Sequence, residues 1–419
     1  MDDKIILHSD LNSFYASVEC FRNPKIRQQP VAVCGDPQSR HGIVLTKNLI
    51  AKKYGVSTGQ AIWQAKQLCP KLIVVNPNYD LYLKYSRLTR EIYYDYTNQI
   101  EAFGIDEAWL DCTGSTQLHG SGEEIAHKIR KRIFKELGVT VSIGVSFCKV
   151  FAKLGSDYKK PDAVTVFSRE NYKEKVWSLP VSELLYVGKA TNREMLKYNI
   201  KTIGDLANAD PKYLYLNFGK VGIMLSRFAN GIDHSPVCTN DVRHIEKSIG
   251  NSQTMVRDLV NDEDVWVTFL MLSESVASRL RDNCLRCQTI QISLRDKNMF
   301  SCERQGKTQS PTCLSTEIAS KAMEIFKTKY QMRDPLRSVG VRASDLISMD
   351  MNVQMSMFHD FEKQDRQEKL EFAIDELRER FGYDCIQKGI LMVDKDLTGH
   401  NVKEHNIHPP SLFTDKMPV

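Results

Sequence analysis

The segment SDLNSFYASVE, residues 9–19, follows an apolar run over residues 4–8 that has the composition and length of a strand. Asp10 therefore stands at the end of a predicted strand. The residues directly after it, 13–21, have the spacing of a helix. This first motif thus places an acidic side chain between a strand and a helix.

A second acidic motif is GIDEAWLD, residues 104–111, which lies between two further strand-like runs. Adjacent side chains on a regular strand point to opposite faces. Asp106 and Glu107 can therefore converge on one site only if the backbone turns there, and Gly104 allows such a turn.

Three acids close together, Asp10, Asp106 and Glu107, would repel one another in a partly buried site unless a cation neutralised them. Magnesium or manganese fits best, because hard divalent ions prefer carboxylate and phosphate oxygens. A pair of such ions about 3.5–4 Å apart serves phosphoryl transfer. Any single aspartate is more often a turn residue or a helix cap, and this alternative weakens only when the three acids are taken together.

The bulk composition allows several functions. The chain has 419 residues, 42% of them hydrophobic, and a net charge of +5, which permits a nucleic-acid partner without requiring one. No apolar run approaches the roughly 20 residues that span a bilayer, so we expect a cytoplasmic protein with no membrane contact. The eleven cysteines are expected to be reduced thiols, and Cys284 and Cys287 lack the second close pair of a zinc site.

The order of predicted elements indicates several domains. Up to about residue 167, strands alternate with helices, which favours an α+β fold with helices on one face of a mixed sheet. Residues 172–231 contain short helical pieces separated by glycines. A region of strand–helix–strand–helix type then ends near residue 348.

The last part of the chain is predicted to hold one amphipathic helix that ends at Gly382. Its apolar stripe consists of Leu370, Ala373, Ile374, Leu377 and Phe381.

Three stretches, 9–19, 104–111 and 144–161, resemble in order and spacing the Y-family DNA polymerases, the translesion group. The resemblance covers roughly the first 350 residues and implies a template-directed DNA polymerase of low fidelity. It also implies a multi-domain right-hand arrangement with a mixed-sheet palm (1–18 and 74–168), small fingers (19–73), a helical thumb (169–238), an α/β little finger (243–348) and a C-terminal tail (349–419).

The same resemblance assigns roles in the catalytic site. Asp10, Asp106 and Glu107, with the main-chain carbonyl of Leu11, match the residues that bind two Mg²⁺ ions, for which Mn²⁺ is a possible substitute. Tyr15 matches the steric gate, a ring placed under the sugar so that a 2′-hydroxyl would clash.

Residues expected near the incoming deoxynucleoside triphosphate (dNTP) are Phe14, Thr46, Lys52 and Lys160, although packing explains Phe14 better. The roof over the nascent base pair would be formed by Gly35, Ile43 and Leu45. The sequence departs from the family pattern here as follows: Leu49 stands where many relatives have a triphosphate-binding tyrosine, Lys52 replaces an arginine, and Cys148 replaces an asparagine.

Contacts with primer–template DNA are expected from two regions. In the thumb-like region a helix–hairpin–helix is expected around Gly188, with Tyr186 in place of its first glycine and a plain helix connection as the alternative. The candidate DNA-binding residues are Gly188, Lys189, Lys220, Arg243, Lys247, Arg257, Arg295 and Arg342. A short peptide resembles the segment with which bacterial polymerases bind the sliding clamp, and its residues are Gln354, Met355, Met357 and Phe358.

Two other functions stay open on the sequence alone. A nucleotide cyclase could use the same acids, but it has no need of the helical and little-finger regions. A non-catalytic DNA-binding scaffold at stalled forks is the second alternative, which the three intact acids disfavour and Leu49 keeps open. As a polymerase the chain is expected to be monomeric and associated with the nucleoid.

Overall fold

The computed structural model describes residues 4–36, 42–238, 246–351 and 360–398. These residues form two compact units, with described residues up to 238 in the first and from 246 onward in the second. Arg243 and the clamp-like peptide, residues 354–358, lie outside the described residues. In the part of the chain that is described, no helix has both the length and the apolar composition needed to cross a membrane.

The first unit begins with alternating strands and helices and ends in a helical part. Its elements in chain order are β1 (Ile6–Leu11), α1 (Phe14–Arg22), β2 (Val31–Cys34), β3 (Val44–Lys47), α2 (Leu49–Lys53), α3 (Ile62–Leu68), β4 (Ile73–Val75), α4 (Tyr79–Tyr94), β5 (Ile100–Ala102), β6 (Glu107–Asp111), α5 (Thr116–His119), α6 (Gly122–Leu137), β7 (Val141–Ser146), α7 (Lys149–Tyr158), β8 (Val164–Phe167), α8 (Tyr172–Val176), α9 (Lys189–Lys197), α10 (Ile203–Asn208) and α11 (Pro211–Ala229).

The larger sheet of this unit has the strand order β5-β6-β1-β7-β8. Neighbouring strands are antiparallel except β7 and β8, so the sheet is mixed, as predicted. Every residue of β1 and β7 is buried. Both strands are buried along their whole length because other elements cover each face, although they include polar residues such as His8 and Ser142.

Helices pack on both faces of this sheet, and the prediction of helices on one face is wrong. A side chain at Gly122, in α6, would meet Val145 of β7, whereas a side chain at Gly144 would meet the backbone of α7 2.0 Å away at the Ala152 oxygen. Val145 and Gly144 are adjacent, so they point to opposite faces. The missing side chain of Gly144 lets α7 lie directly on the sheet.

The smaller sheet, of order β3-β2-β4, lies in the segment between α1 and α4. β2 pairs with β3 antiparallel and with β4 in parallel. Small apolar side chains from β2 and the helices α2 and α3 form its core, with Ala32, Cys34, Ala51 and Ala65 fully buried. The sheet is therefore a compact substructure of its own.

The helical part of the unit, α8 to α11, shares a core with α7. Phe151 of α7 and Phe167 of β8 are fully buried in this core, together with residues of all four helices. Helix α11 is interrupted at Gly219, whose φ of 60° and ψ of −149° are not helical. The predicted small helical region is confirmed.

The second unit is a sheet covered by helices. Its elements are β9 (Ser248–Leu259), α12 (Asp262–Asp282), β10 (Leu285–Asp296), β11 (Ser301–Thr312), α13 (Ser315–Lys329), β12 (Leu336–Ser348), α14 (Phe361–Phe381) and α15 (Lys395–Thr398). All neighbours in the order β11-β10-β12-β9 are antiparallel. The predicted strand–helix–strand–helix pattern contains two strands fewer than the unit, since β11 and β12 are not in it. β11 is polar, and only its last residue is buried, so it carries no apolar alternation.

Helix α14 ends at Gly382, as predicted, and that glycine has a φ of 90°. The predicted apolar stripe does not form the packed face, since Leu370, Leu377 and Phe381 are exposed. The helix instead packs through charged side chains, and Glu371 forms an ion pair with Arg281 of α12.

Candidate active site

Two of the three predicted acids, Asp10 and Glu107, share one face of the larger sheet, and Asp106 lies directly before the strand that carries Glu107. Asp10 of β1 and Glu107, the first residue of β6, are direct partners across the antiparallel strands, so their side chains share a face. Asp106 precedes β6 in a bend, and its carbonyl accepts a hydrogen bond of 3.0 Å from the Leu11 N–H. The predicted turn is confirmed, and it lets adjacent acids approach the same site.

Gly104 provides the space beside two of these carboxylates. A side chain at this position would lie 3.3 Å from Asp106 Oδ1 and 3.7 Å from Glu107 Oε1. Both oxygens therefore border the same gap, which any residue other than glycine would narrow.

Two lysines of the α7 region neutralise the acids. Lys153 Nζ contacts Glu107 Oε2 and lies 3.3 Å from Asp10 Oδ2. Lys160 Nζ lies 2.7 Å from Asp10 Oδ2 and 2.7 Å from Asp157. The lysine side chains are 15% and 30% exposed, so these ion pairs are partly shielded from water.

The electrostatics of the site show that the acids crowd one another. Burial, and then the charges of Asp10 and Glu107, raise the pKa of Asp106 to about 7. Burial also raises the pKa of Glu107, although Lys153 opposes the effect. Burial tends to lower the pKa of Lys153, but the acids Glu107 and Asp10 outweigh it and the pKa is raised. The site therefore favours an additional positive charge.

The donor set fits a hard divalent ion in its chemistry, because it consists of carboxylate oxygens around a gap. Among residues 4–36, 42–238, 246–351 and 360–398, however, no group of three or more acidic, histidine or cysteine side chains is arranged to hold a metal ion. The ammonium of Lys153 lies between Asp10 and Glu107 and supplies the balancing charge. Asp10 and Glu107 are thus bridged by a lysine, and the joint binding of a metal ion by the three acids stays a prediction.

The predicted steric gate, Tyr15, lies in an aromatic cluster next to the acids. Its ring stacks on Tyr82, with centroids 4.2 Å apart and planes 10° apart, and meets the edge of Tyr79. Burial, followed by the charge of Asp106, raises the pKa of Tyr15 to about 12. Phe14 is buried against the same rings, which agrees with the packing alternative for this residue.

The other predicted nucleotide-binding residues lie on different elements. Thr46 is half-buried on β3 and Lys52 is exposed on α2, both in the smaller sheet region, whereas Lys160 lies beside Asp10. Leu49 is 45% exposed at the start of α2 and has no group that donates to phosphate.

The predicted roof residues lie at the end of the smaller sheet. The Gly35 N–H donates to the carbonyl of Ile43 at 3.0 Å, and Ile43 also bridges to Ala61. Ile43 is 39% exposed and Leu45 is half-buried, so both side chains have a free surface.

Cys148 stands at the N-cap of α7 and makes no side-chain capping bond there. An asparagine at an N-cap normally accepts a hydrogen bond from the first helical turn. Here Asp233 accepts it instead, from the Val150 N–H at 3.3 Å. The start of α7 is thus capped by a residue of the segment that follows α11.

At the predicted helix–hairpin–helix, Tyr186 adopts the backbone conformation expected of the glycine that it replaces. Tyr186 has a φ of 71°, in the left-handed region that favours glycine. Gly188 is the N-cap of α9, and Lys189 is its first residue. Lys220 follows the break at Gly219 and is exposed.

In the second unit, Arg295 and Arg342 share the face of the sheet that the helices leave open. The residues that alternate with them, among them Ile292, Leu294 and Val341, are buried under α12 and α13. Lys247, just before β9, is exposed. Arg257 does not fit its predicted role, because its guanidinium is paired with Asp264 and Asp394 at 2.7 and 2.8 Å.

The cysteines agree with the sequence-based expectation. All eleven are free thiols, and Cys284 is exposed while Cys287 is buried.

Sequence reasoning missed three residues of the site: Lys153, His8 and Ser156. His8 lies two residues before Asp10 on the same strand face, a spacing that could have identified it. Lys153 lies within α7, and Lys160 lies two residues beyond the end of that helix. No pattern in the sequence indicated that α7 lies over the acids.

Two family models match this chain: the impB/mucB/samB family over residues 9–157 and the C-terminal domain of that family over residues 246–357. A DNA polymerase IV of Acetivibrio thermocellus is 51% identical over 394 residues, which are 94% of this chain and 99% of the relative. A DNA polymerase IV of Clostridium kluyveri is 37% identical over 93% of this chain and 98% of its own length.

A solved structure of a chimeric Y-family DNA polymerase has the same fold. The TM-score is 0.71, the sequence identity is 24%, and the match covers 82% of this chain and 99% of the other. The predicted fold class, a multi-domain α+β polymerase, is confirmed.

The chain therefore belongs to the Y family of DNA polymerases, the class that acts in translesion synthesis. Within that class, the curated relatives quoted above are both DNA polymerases IV.

Proposed function

We propose that this chain copies damaged templates by adding deoxynucleotides to a primer 3′-hydroxyl at the site formed by Asp10, Asp106 and Glu107. Family membership gives the general activity, that of a DNA-directed DNA polymerase that binds DNA and depends on a divalent metal. The observation that supports this site is the proximity of the three acids, two of which share a sheet face while the third lies in the adjacent bend.

The acids would hold two Mg²⁺ ions. When bound, such ions lower the pKa of the primer hydroxyl and stabilise the charge of the pyrophosphate leaving group. The residues of the chain position the reactants. Asp10 and Glu107 share the sheet face, and the bend before β6 turns Asp106 toward them. The Leu11 carbonyl is a further proposed ligand, since the Leu11 N–H already fixes this strand to Asp106.

Lys160 is proposed to bind the triphosphate, because it is a partly exposed cation directly beside Asp10. Thr46 and Lys52 would contact the same group from the smaller sheet. Lys52 is a point charge where many relatives have arginine, so its phosphate contact lacks the two-pronged geometry of a guanidinium. Leu49 contributes no hydrogen bond, so triphosphate binding would depend on fewer donors than in relatives with a tyrosine at this position.

Tyr15 is proposed to exclude ribonucleotides, since its stacking on Tyr82 fixes the ring beside the acids. Gly35, Ile43 and Leu45 would form the roof over the base pair. The free surfaces of Ile43 and Leu45 support this role.

The domain roles follow the predicted ranges. The larger sheet would be the palm (1–18 and 74–168), the smaller sheet with α2 and α3 the fingers (19–73), and α8 to α11 the thumb (169–238). The second unit would contain the little finger (243–348), and the tail (349–419) includes α14, which packs on α12 within that unit.

DNA contacts are proposed at the two glycine breaks of the helical part and on the open face of the second sheet. Gly188 and Lys189 begin one helix, and Lys220 begins the second half of α11, so backbone N–H groups there can contact phosphate. Arg295, Arg342 and Lys247 add positive charge. Arg243 is proposed from the sequence alone.

A sliding clamp is proposed as a partner through Gln354, Met355, Met357 and Phe358, on the sequence alone. An extended peptide can place such side chains in separate pockets of a partner. The protein would act as a monomer in the cytoplasm, at the nucleoid.

Primer extension with Mg²⁺ and dNTPs tests the proposed site. Wild type and an Asp80→Asn control, which changes an exposed acid of α4, are expected to extend primers on intact and lesion-containing templates. Asp106→Asn should lose at least about a hundredfold in rate, because a charge that binds the metal is removed. Equal extension by Asp106→Asn and wild type would refute the site, and DNA binding by the wild type without extension would favour the scaffold alternative.

A further inference from the structure

We propose that His8 is a positioning residue, which orients the Glu107 carboxylate for metal binding through a hydrogen bond from its Nε2. The inference rests on the proposed function, because it concerns the same acids. It adds a residue that neither the sequence motifs nor the proposed mechanism assigns to the reaction.

The imidazole of His8 is completely buried between β1 and its neighbours. Its Nδ1 lies 2.9 Å from Ser156 Oγ of α7, and its Nε2 lies 3.4 Å from Glu107 Oε2. The ring also meets the edge of Trp109, with centroids 5.2 Å apart. Nε2 is buried without a hydrogen-bond partner in this arrangement, and Glu107 Oε2, at 3.4 Å, is a carboxylate oxygen within its reach.

The two ring nitrogens allow one arrangement that satisfies both partners. If the Ser156 hydroxyl donates to Nδ1, the proton of the neutral ring is on Nε2 and points to the carboxylate. In the opposite tautomer, a buried nitrogen lone pair would face a carboxylate oxygen, which is repulsive. The Ser156 hydroxyl can also donate to the Lys153 carbonyl, 2.7 Å away, so this carbonyl competes with His8 Nδ1 for the hydroxyl proton.

His8 and Lys153 act on the same oxygen of Glu107. Lys153 Nζ contacts Oε2, and the buried His8 Nε2 lies 3.4 Å from the same oxygen. The other oxygen, Oε1, borders the gap at Gly104 together with Asp106 Oδ1. Holding Oε2 therefore directs Oε1 toward the gap in which the acids meet.

The packing of α7 fixes this arrangement. Gly155 approaches the Cα of Gly144 so closely that a side chain on Gly155 would lie 3.0 Å from it. This contact places the next residue, Ser156, over His8 on the neighbouring strand. Second partners that orient a metal-binding carboxylate are typically worth 10- to 100-fold in metal affinity.

Direct binding of Mn²⁺ to the full chain, measured by electron paramagnetic resonance, tests the proposal. The Mn²⁺ binding that wild type shows and Asp106→Asn lacks is assigned to this site. His8→Phe keeps a ring beside Trp109 but removes the donor, and it should weaken Mn²⁺ binding about tenfold. The metal concentration for half-maximal primer extension should rise by the same factor, with KM for primer–template unchanged.

Matched variants separate positioning from packing. His8→Gln, whose amide can donate from a similar place, should recover most of the affinity. Ser156→Ala should weaken Mn²⁺ binding severalfold, whereas Ser146→Ala, which removes a similarly buried hydroxyl bonded to Phe167, should not.

Wild-type Mn²⁺ affinity in folded His8→Phe would overturn the proposal, as would equal losses in Ser156→Ala and Ser146→Ala. Should His8→Phe fail to fold, Ser156→Ala decides: weakened binding supports the proposal, and unchanged binding overturns it. A wild type that neither binds Mn²⁺ at these acids nor extends primers contradicts the proposed function itself. Normal extension with unaffected His8 variants contradicts only the role of His8.

Discussion

At Asp106, burial and two neighbouring carboxylates act in the same direction and raise its pKa to about 7. A carboxyl group in such surroundings costs stability when it is charged, because like charges repel strongly in a partly dry site. Residues that break the usual rules of stability in this way are concentrated at functional sites. The two lysines, Lys153 and Lys160, offset the charge and keep the acids together.

The steric gate can be tested by removing its ring. Tyr15→Ala should raise the incorporation of ribonucleotides relative to deoxynucleotides about tenfold or more, since a clash of roughly 1.4 kcal/mol corresponds to that factor. The ratio of kcat/KM for the two nucleotides measures the effect. Tyr94→Ala, at an exposed tyrosine of α4, is the control, and an unchanged ratio in Tyr15→Ala would remove the gate from the account.

The sequence motifs identified the three acids as candidate site residues. They did not identify the α7 side chains that contact Asp10, Glu107 and His8. Asp10 and the turn before Glu107 follow from strand and glycine patterns within a few residues. The ion pair from Lys153 to Asp10 spans 143 residues, and it exists because Gly144 lets α7 lie on the sheet. The contact between His8 and Ser156 depends on the same packing of α7, since these two residues are 148 positions apart in the chain. Contacts of this range depend on packing that no local pattern encodes.

Helix α14 shows at the scale of an element why an apolar pattern can mislead. Its existence and its end at Gly382 were predicted, but its charged face is the packed one. Arg281, only 4% exposed, pairs with both Glu371 and Asp375, and Glu371 also accepts from the backbone and hydroxyl of Ser315 at the start of α13. A buried cation on α12 thus selects the acidic face of the helix.

The ion pair of α14 should be important for stability. Glu371→Gln removes one charge partner of a buried arginine, and breaking such a pair typically costs about 3 kcal/mol. Urea unfolding of the second unit within the full chain measures the loss. Glu376→Gln, at an exposed acid of the same helix, should leave the free energy of unfolding within about 0.5 kcal/mol of wild type. Equal stability of the two variants would show that the pair contributes little.

Across the whole molecule, acidic and basic candidate binding residues lie in different units. The first contains the acids, and the second offers a sheet whose open face is polar, with Arg295 and Arg342 on it. The overall charge of +5 is small for a protein that binds a polyanion, so the placement of the cations matters more than their number.

Salt dependence of DNA binding tests this placement. Each phosphate contact contributes about 0.9 to the slope of log K against log salt concentration, so the double variant Arg295→Ala, Arg342→Ala should lower that slope by about 2. Fluorescence anisotropy with primer–template at several salt concentrations gives the slope. The control is Arg366→Ala with Lys369→Ala, two exposed cations of α14. The same slope in both double variants would exclude the open face as a contact.

The central claim, that Asp10, Asp106 and Glu107 bind the catalytic metal, is tested most directly by anomalous scattering from Mn²⁺ in crystals of the full chain with primer–template and a dNTP. The account predicts anomalous peaks within bonding distance of oxygens from all three acids, with the Lys153 ammonium displaced from its place between Asp10 and Glu107. Peaks elsewhere, or Lys153 still paired with both acids while the nucleotide is bound, would contradict it.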